Sequence, residues 1–273
     1  MTDAGAPRHV IADVIAVKKL GAHRLLTFTA PGVAERFRPG MFVQIRVGER
    51  TTGRAFWVHR VRQTSALGPT LEILVEPTGW GSRWLCDLPV GAHVSLTGPL
   101  GRPFALPKEP VACLLVGHGY AAGALFSLAE RLRERGCGVN LMLAAQDEAH
   151  LVSAHEARRW ARSVTVVTAD GSVGLVGQIA DHLSQAISRT SADVVYAAGP
   201  ADVLRTVAHG AQSYGAWSQL ALEIPTPCGT GLCHGCPLPV VGEDGVARVM
   251  RACTEGPVVR GDRVRFEHLA GLG

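Results

Sequence analysis

The sequence predicts a multidomain β plus α/β protein: an antiparallel β-barrel, a doubly wound parallel sheet and a small cysteine-rich module, in that order. Three observations predict this fold. Short strand-like segments fill residues 8–105, and buried strands alternate with amphipathic helices over 110–220. Four of the seven cysteines lie in the last 53 residues, 221–273. We therefore expect domain boundaries at 1–105, 106–220 and 221–273.

The predicted barrel contains six segments with the composition of β-strands, separated by turn signals such as Pro39-Gly40. No long helical pattern interrupts them, so a small closed barrel is the expected arrangement. The segments are HVIADVIAVKKL (9–20), HRLLTFTA (23–30), MFVQIRV (41–47), AFWVHRVRQ (55–63), TLEILVEP (70–77) and HVSLTGP (93–99).

The middle of the chain alternates apolar strands with helices of about 12–16 residues, which indicates a doubly wound sheet of the dinucleotide-binding type. The predicted strands are VACLLVGHG (111–119), GVNLMLAAQ (138–146), SVTVVTAD (163–170) and ADVVYAAGP (192–200). The predicted helices are AAGALFSLAERLRERG (121–136), GLVGQIADHLSQAIS (174–188) and ADVLRTVAHGAQSYG (201–215).

The last module carries cysteines at 228, 233, 236 and 253, with the spacing C-x4-C-x2-C and then sixteen residues to the fourth. This is the plant-type arrangement for a [2Fe–2S] cluster. Glycines at 229, 231 and 235 allow backbone N–H groups to approach the cluster sulfurs. The segment VVGEDGVARVMRAC (240–253) supplies a hairpin, with EDG as its turn, that returns the fourth cysteine.

Two alternatives remain open for this module. Structural zinc usually takes two separated C-x2-C pairs, and only one such pair is present here. A chance grouping of free cysteines is the other alternative. The isolated Cys86, Cys113 and Cys137 lie on or beside apolar segments, and we expect them to be small core residues.

Composition excludes several classes of protein. The 273 residues are 47% hydrophobic and 18% charged, enough to bury a core, and the net charge of +4 is small. No basic run is interleaved with aromatic residues, so no nucleic-acid partner is expected. The N-terminus lacks the pattern of a signal peptide, and no apolar stretch is uninterrupted enough to span a membrane. We expect a cytoplasmic protein whose cysteines serve metal or redox chemistry.

The order of modules and several motifs resemble the ferredoxin–NADP reductase superfamily and, more narrowly, the electron-transfer subunits of bacterial class 1B dihydroorotate dehydrogenases. The most specific match is LEIPTPCGTGLCHGCPLPV (222–240) with RACTEGPVV (251–259). FRPGMFVQIRV (37–47), TGWGSRWL (78–85) and GPLGRPF (98–104) extend the resemblance into the barrel.

The resemblance implies that the barrel binds FAD. In RAFW (54–57), Arg54 matches the arginine that meets the pyrophosphate and Phe56 the aromatic that lies against the flavin. Trp57 stands where the family has serine or threonine, and its bulk is expected either to stack on the flavin ring or to crowd it and lower access to N5. Gly79, Gly81 and Ser82 of GWGS match the family's second pyrophosphate motif, where backbone amides and a hydroxyl meet the phosphates.

The resemblance also implies an NAD(H) site on the parallel sheet, carried by GHGYAAGA (117–124), TADGSVGLVG (168–177) and AAGP (197–200). The residues that match are Gly117, Gly119, Asp170, Gly199 and Pro200. His118 and Tyr120 place side chains where the family's loop is bare, and Ala198 replaces a cysteine frequent beside the nicotinamide. Asp147 and Glu148, near the end of the second strand, favour NADH over NADPH.

The function implied is electron transfer between NAD and an FMN-containing dihydroorotate dehydrogenase catalytic subunit, through FAD and [2Fe–2S], within a hetero-oligomer of pyrimidine biosynthesis. No residue of this chain is expected to be catalytic toward dihydroorotate. Two alternatives stay open. The chain could serve another redox partner as a ferredoxin-reductase-like subunit, or it could be a non-catalytic accessory subunit with a degraded NAD site.

Overall fold

The computed structural model describes residues 6–49 and 53–269. Two ends of the chain lie outside the described residues: 1–5, the start of the N-terminal segment, and 270–273, the end of the predicted third module. The described chain forms a closed six-stranded barrel, a seven-stranded sheet with helices on both faces, and a two-stranded hairpin.

The barrel has the strand order β1-β2-β5-β4-β3-β6, and all its pairs are antiparallel. Its core consists of the alternate inward side chains, including Leu26, Phe28 and Ile45, because successive residues of a strand point to opposite faces. The strands are β1 (Arg8–Leu20), β2 (His23–Thr29), β3 (Phe42–Arg46), β4 (Gly53–Arg62), β5 (Thr70–Val75) and β6 (His93–Leu100). The predicted barrel is confirmed.

A short helix that the sequence pattern did not predict, α1 (Trp80–Cys86), connects β5 to β6. Its start is fixed by Ser82, whose hydroxyl accepts a hydrogen bond from the Gly79 N–H at 3.0 Å and donates to the Gly79 carbonyl at 3.1 Å. Seven residues with two tryptophans and a glycine give too little helical periodicity to detect.

The second sheet has the order β10-β9-β8-β7-β11-β12-β15, in which only the last pair is antiparallel. The chain adds strands in one direction from β7 to β10 and then crosses back to β11 and β12, so the predicted double winding is confirmed. The strands are β7 (Ala112–His118), β8 (Gly138–Ala145), β9 (Ser163–Thr168), β10 (Leu175–Val176), β11 (Val194–Gly199) and β12 (Trp217–Leu222).

The four helices between these strands cover the sheet, and α2 packs in a different hydrophobic cluster from α4 and α5. They are α2 (Phe126–Glu134), α3 (Ala154–Ala157), α4 (Ile179–Thr190) and α5 (Ala201–Ser213). The isolated cysteines behave as predicted: Cys113 and Cys137 are buried beside the sheet and Cys86 is buried in the barrel.

Two predicted helices begin later than the sequence indicated. Gly119–Leu125 form a 3-10 helix before α2, and His59 Nδ1 lies 3.1 Å from the Gly123 carbonyl within it. The second predicted helix, 174–188, loses its first residues because Leu175 and Val176 pair with β9 as a short edge strand.

The C-terminal segment forms the predicted hairpin, β13 (Pro237–Val241) and β14 (Ala247–Arg251), followed by one helical turn, α6 (Ala252–Glu255). The chain then enters β15 (Val258–Arg260), which pairs antiparallel with β12. The segment predicted as a third module therefore also completes the edge of the central sheet.

Candidate functional site

A cavity of about 650 Å³ lies between β4 of the barrel, the loop after β7 and the segment that follows β12. Phe42, Trp57 and Tyr120 form aromatic parts of its wall, and Glu223 adds a carboxylate. The segment 224–227 forms another part of the wall and runs directly into Cys228. The candidate cysteine site therefore begins where this cavity ends.

A second cavity of about 380 Å³ adjoins the first, because Arg54, Ala55, Phe56 and Tyr120 line both. Its remaining wall comes from the end of β5 and the start of α1, including Gly79, Gly81 and Ser82. The structure thus brings the two motifs predicted to bind FAD to one continuous space.

The polar groups of this space fit the phosphate end of FAD. Arg54 is an exposed cation on β4, and a Cβ added to Gly81 would lie 3.5 Å from the Arg54 side chain, so the guanidinium stem covers the start of α1. Gly79 has open space around its Cα, which permits close approach of a ligand to the backbone. Phe56 lies between the two cavities, where a flat ring system can contact it.

Trp57 directs its indole N–H toward Glu223, and the hydroxyl of Tyr120 also donates to this carboxylate. Burial raises the pKa of Glu223, although both hydrogen bonds act to lower it, and the negative charge of Glu76 raises it further. Burial likewise raises the pKa of Tyr120. Three side chains from distant parts of the chain therefore form one hydrogen-bonded group in the cavity wall.

Sequence reasoning missed Glu223. It was part of the matching stretch LEIPTPC, but no role was assigned to it. The available signal was an isolated carboxylate at the end of a buried strand, five residues before the first cysteine.

The four predicted cysteine ligands lie together in two pairs. Cys236 and Cys253 are buried, with their sulfurs 3.3 Å apart, and the Cys233 thiol donates to Cys228. Cys228 is half-buried and Cys233 is exposed. A [2Fe–2S] cluster takes two thiolates on each of its two irons, so this arrangement fits that cluster.

Backbone N–H groups point at the sulfurs, as expected of a loop that holds thiolates. Thr230 N–H donates to Cys228 Sγ at 3.4 Å and Gly235 N–H to Cys233 Sγ at 3.3 Å. Burial acts to raise the pKa of Cys228, but the bonds from the N–H groups of Cys233 and Thr230 outweigh it and lower the pKa to about 6. Gly229 and Gly231 have φ of +68° and +82°, which favour glycine and let the loop curl around this space.

Gln44 connects the barrel to the cysteine loop. Its amide nitrogen, on β3, donates to the carbonyls of Thr226 and Pro227, each at 3.0 Å. These are the two residues that precede Cys228 and line the larger cavity. The position of the first cysteine relative to the cavity therefore depends on one barrel side chain.

The residues predicted to bind NAD(H) lie at the carboxyl edge of the parallel sheet. Gly117, the last residue but one of β7, lies opposite Ala198 of β11, and the winding changes direction between these two strands. Gly199 follows, and a Cβ there would lie 3.0 Å from His118 Cβ. Pro200 precedes α5 directly, and Gly119 has φ of +54° with open space beside it.

Two acidic residues near this edge are already hydrogen-bonded. Asp170 accepts from the Ser172 hydroxyl at 2.7 Å and from its N–H at 2.9 Å, and these bonds lower its pKa. Asp147 accepts from the ring and the N–H of His150 at 2.7 and 2.9 Å, and these bonds lower its pKa as well.

Within residues 6–49 and 53–269, no three ligating side chains already converge on a single metal position. No helix in this part of the chain has the length and apolar character needed to cross a bilayer.

Comparison with known proteins agrees with this architecture. The iron–sulfur cluster binding domain of dihydroorotate dehydrogenase B matches residues 227–265, which include all four cysteines. The electron transfer subunit of dihydroorotate dehydrogenase B (NAD(+)) from Geobacillus thermodenitrificans is 30% identical over 88% of this chain and 91% of its own. The corresponding subunit from Desulforamulus reducens is 27% identical over 94% of this chain and 98% of its own.

Among solved structures, an NADH-dependent reduced ferredoxin-NADP oxidoreductase studied for flavin-based electron bifurcation superposes with a TM-score of 0.84. It is 25% identical and covers 96% of this chain and 92% of its own. The fold and the site define an oxidoreductase-type electron-transfer subunit with a ferredoxin–NADP reductase architecture. The chain belongs to the family of dihydroorotate dehydrogenase B electron transfer subunits.

Proposed function

We propose that this chain moves electrons between NAD(H) and an FMN-containing catalytic subunit that oxidises dihydroorotate, through FAD and a [2Fe–2S] cluster. The observation that carries the proposal is the direct junction of the paired cavities with the four-cysteine loop through residues 224–227. The names of the relatives supply the partner and its substrate.

When bound, FAD exchanges two electrons with NAD(H) and single electrons with the cluster. The chain's own residues position these groups. Arg54, Gly79, Gly81 and Ser82 would meet the pyrophosphate, and Phe56 would lie against the flavin. Cys228 and Cys233 would hold one iron, and Cys236 and Cys253 the other.

Other residues would keep the two cavities ordered and restrict the entry of water into them. Gln44 fixes the approach of the cysteine loop to the cavity. Phe42 and Trp57, with ring centroids 6.3 Å apart, present an apolar wall on the side of that loop. The Trp57–Glu223–Tyr120 group holds the Gly119 loop against the segment after β12.

NAD(H) would occupy the carboxyl edge of the sheet, where open doubly wound sheets bind ligands at the change of winding direction. Gly117, Gly119, Gly199 and Pro200 would offer close backbone approach. Asp170 follows β9, two strands away from β7. Hydrogen bonding commits Asp147 to His150, so we assign no contact with the nucleotide ribose to Asp147.

A second candidate keeps the redox role and changes the partner. The likeness to the ferredoxin-NADP oxidoreductase structure over nearly the whole chain favours it. A third, an accessory subunit with a degraded NAD site, is favoured by the Trp57–Glu223–Tyr120 group, which places three side chains in the wall of the larger cavity.

The deciding experiment is a visible spectrum of anaerobically purified protein before and after NADH is added. Flavin and cluster bands that both bleach support the complete route. Bands that respond to dithionite and not to NADH support the third candidate. Copurification with a candidate dihydroorotate dehydrogenase catalytic subunit then separates the first candidate from the second, and a partner that fails to bind at micromolar concentration contradicts the first.

A further inference from the structure

The barrel and the parallel sheet meet at a second polar cluster, which adjoins the smaller cavity through Glu76. The turn between β1 and β2 reaches the loop after β8, where Ala22 N–H donates to the Ala149 carbonyl at 2.7 Å. A Cβ on Gly21 would overlap the same carbonyl, so the two domains are in close contact here.

Beside this contact, two histidines face one carboxylate. His23, the first residue of β2, is 1% exposed, and its Nε2 has no hydrogen-bond partner. This nitrogen lies 3.8 Å from one carboxylate oxygen of Glu76, which directly follows β5. His150 Nε2, from the other domain, lies 3.9 Å from the second oxygen of Glu76.

The opposite ring nitrogens of both histidines are already engaged. The other nitrogen of His23 donates to the Leu20 carbonyl, and His150 Nδ1 is 2.7 Å from Asp147 Oδ1. A hydrogen bond of this kind fixes the tautomer and leaves the Nε2 lone pair free to bind a metal. The buried, unpartnered Nε2 of His23 is therefore directed at a space with a second imidazole and a carboxylate around it.

We propose that His23, His150 and Glu76 bind one divalent transition-metal ion of the zinc type, which joins the barrel to the parallel sheet. Two imidazoles and a carboxylate are the ligands that such ions prefer, whereas calcium and magnesium favour sites made of oxygen atoms. Asp147 acts as a positioning residue through His150.

The cluster must close to bind the ion, because no three ligating side chains in residues 6–49 and 53–269 already converge on one metal position. Bonds of about 2.05 Å in a tetrahedral site place neighbouring ligand atoms about 3.4 Å apart, so separations of 3.8 and 3.9 Å must shorten by about 0.5 Å. The Glu76 side chain is 25% exposed and the His150 side chain 36% exposed, which gives an entry path and room for a water as the fourth ligand.

The test uses holoprotein, whose cluster occupies the four cysteines, and Co²⁺ as the probe. Oxidised [2Fe–2S] clusters are diamagnetic, so the electron paramagnetic resonance of high-spin Co²⁺ is not obscured. We expect about one Co²⁺ per chain, with ¹⁴N couplings from imidazole, displaced by Zn²⁺. His150→Gln and Glu76→Gln should weaken binding at least about tenfold, and Asp147→Asn about ten- to hundredfold.

The matched control is His93→Gln, which removes an exposed histidine paired with Asp13 at 2.6 Å on the outer face of the barrel. This variant should bind Co²⁺ like the wild type. Absence of Co²⁺ binding by folded wild-type protein overturns the proposal, and so does equal binding by His150→Gln and His93→Gln. His150 and Glu76 carry the test because their side chains are partly exposed, so these variants should fold even where a substitution of buried His23 does not.

Discussion

The cysteine loop and the glycine-rich edge of the parallel sheet are both candidate cofactor sites, but different kinds of contact organise them. In the loop, the N–H groups of Thr230 and Gly235 reach sulfurs two residues earlier in the chain. At the edge, Tyr120 meets Glu223 and Trp57, which lie on two other segments of the chain. The loop keeps its family's pattern in residue type and spacing, whereas the edge departs from it at His118, Tyr120 and Ala198.

The difference shows which parts of a cofactor site tolerate change. Every ligand position of the loop is needed, because each thiolate is one of only four bonds from the protein to the cluster. A nucleotide site built on backbone amides and open space depends instead on what neighbouring side chains leave free. Substitutions far away in sequence can therefore alter the edge without touching its glycines.

The largest expected effect is at the loop. Replacing Cys236 by Ser removes one of the two buried thiolates, and we expect the iron content to fall below about a tenth of the wild-type value. Iron analysis and the visible spectrum of anaerobically purified protein measure this loss. The matched control is Cys86→Ser, which changes a buried cysteine of the barrel and should keep the wild-type iron content. Full iron in Cys236→Ser would contradict the assignment of this residue as a ligand.

The second prediction concerns the edge. Replacing Trp57 by Ser restores the small hydroxyl residue of the family and frees Glu223 from the indole N–H. If Trp57 crowds the nicotinamide side, NADH should reduce the bound flavin about tenfold faster, which is ~1.4 kcal/mol of barrier. Stopped-flow absorbance of the flavin band measures the rate.

Trp217→Ser is the matched control, because Trp217 is 60% exposed and stacks on Arg260 at the start of β12, the end of the strand away from the cavity. It should leave the rate unchanged. An unchanged rate in Trp57→Ser, with full flavin content, would assign the slow step to Tyr120 or to the loop itself.

The same comparison explains what could be predicted from the sequence. The barrel strands, the doubly wound sheet and the cysteine hairpin follow from periodicity and spacing, because contacts within a few residues determine them. The relatives and the model of the cluster domain agree with the predicted family. The sequence pattern predicts one helix over 121–136 and does not distinguish the 3-10 helix at Gly119–Leu125 from α2. The contact of the Gly123 carbonyl with His59, 64 residues away in sequence, leaves no local signal.

Glu223 and Gln44 were missed for the same physical reason. Gln44 looks like an ordinary polar residue of an alternating strand, and only the fold brings it to carbonyls 182 and 183 residues away. Glu223 has Trp57 of the barrel as one partner and Tyr120, from the loop after β7, as the other. Spacing within one segment contains no information about such contacts.

Gln44→Leu tests how far the local order of the loop depends on the barrel. The change leaves the carbonyls of Thr226 and Pro227 without their donor, which should lower the stability of the loop by about 1–2 kcal/mol. Loss of cluster absorbance in urea reports on the loop, and circular dichroism reports on the rest of the chain. Gln44→Leu should lower the urea midpoint for loss of cluster absorbance more than the urea midpoint measured by circular dichroism.

Gln63→Leu is the matched control, since Gln63 also donates from the barrel to a carbonyl, that of Ala34, at 3.0 Å. Gln63→Leu should leave the urea midpoint for loss of cluster absorbance unchanged. Equal cluster midpoints for Gln44→Leu and wild type would mean that the loop is held by its own contacts alone.

The smallest expected effect is a pH dependence at the edge. Because burial raises the pKa of Glu223, the folded chain retains a proton that the unfolded chain has released, so the free energy of unfolding falls as the pH rises above about 4.3 and levels off above the folded pKa. Glu223→Gln cannot titrate, so its stability should vary less with pH over this window. The difference in unfolding free energy between Glu223→Gln and the wild type should change by less than about 1 kcal/mol over this pH window, because water in the cavity screens the charge. Urea unfolding of the holoprotein at a series of pH values measures it, with Glu109→Gln as an exposed control that should keep the wild-type profile. A profile for Glu223→Gln that matches the wild type would show that the carboxylate pays no desolvation penalty, and Trp57 and Tyr120 would then act at the edge through their bulk alone.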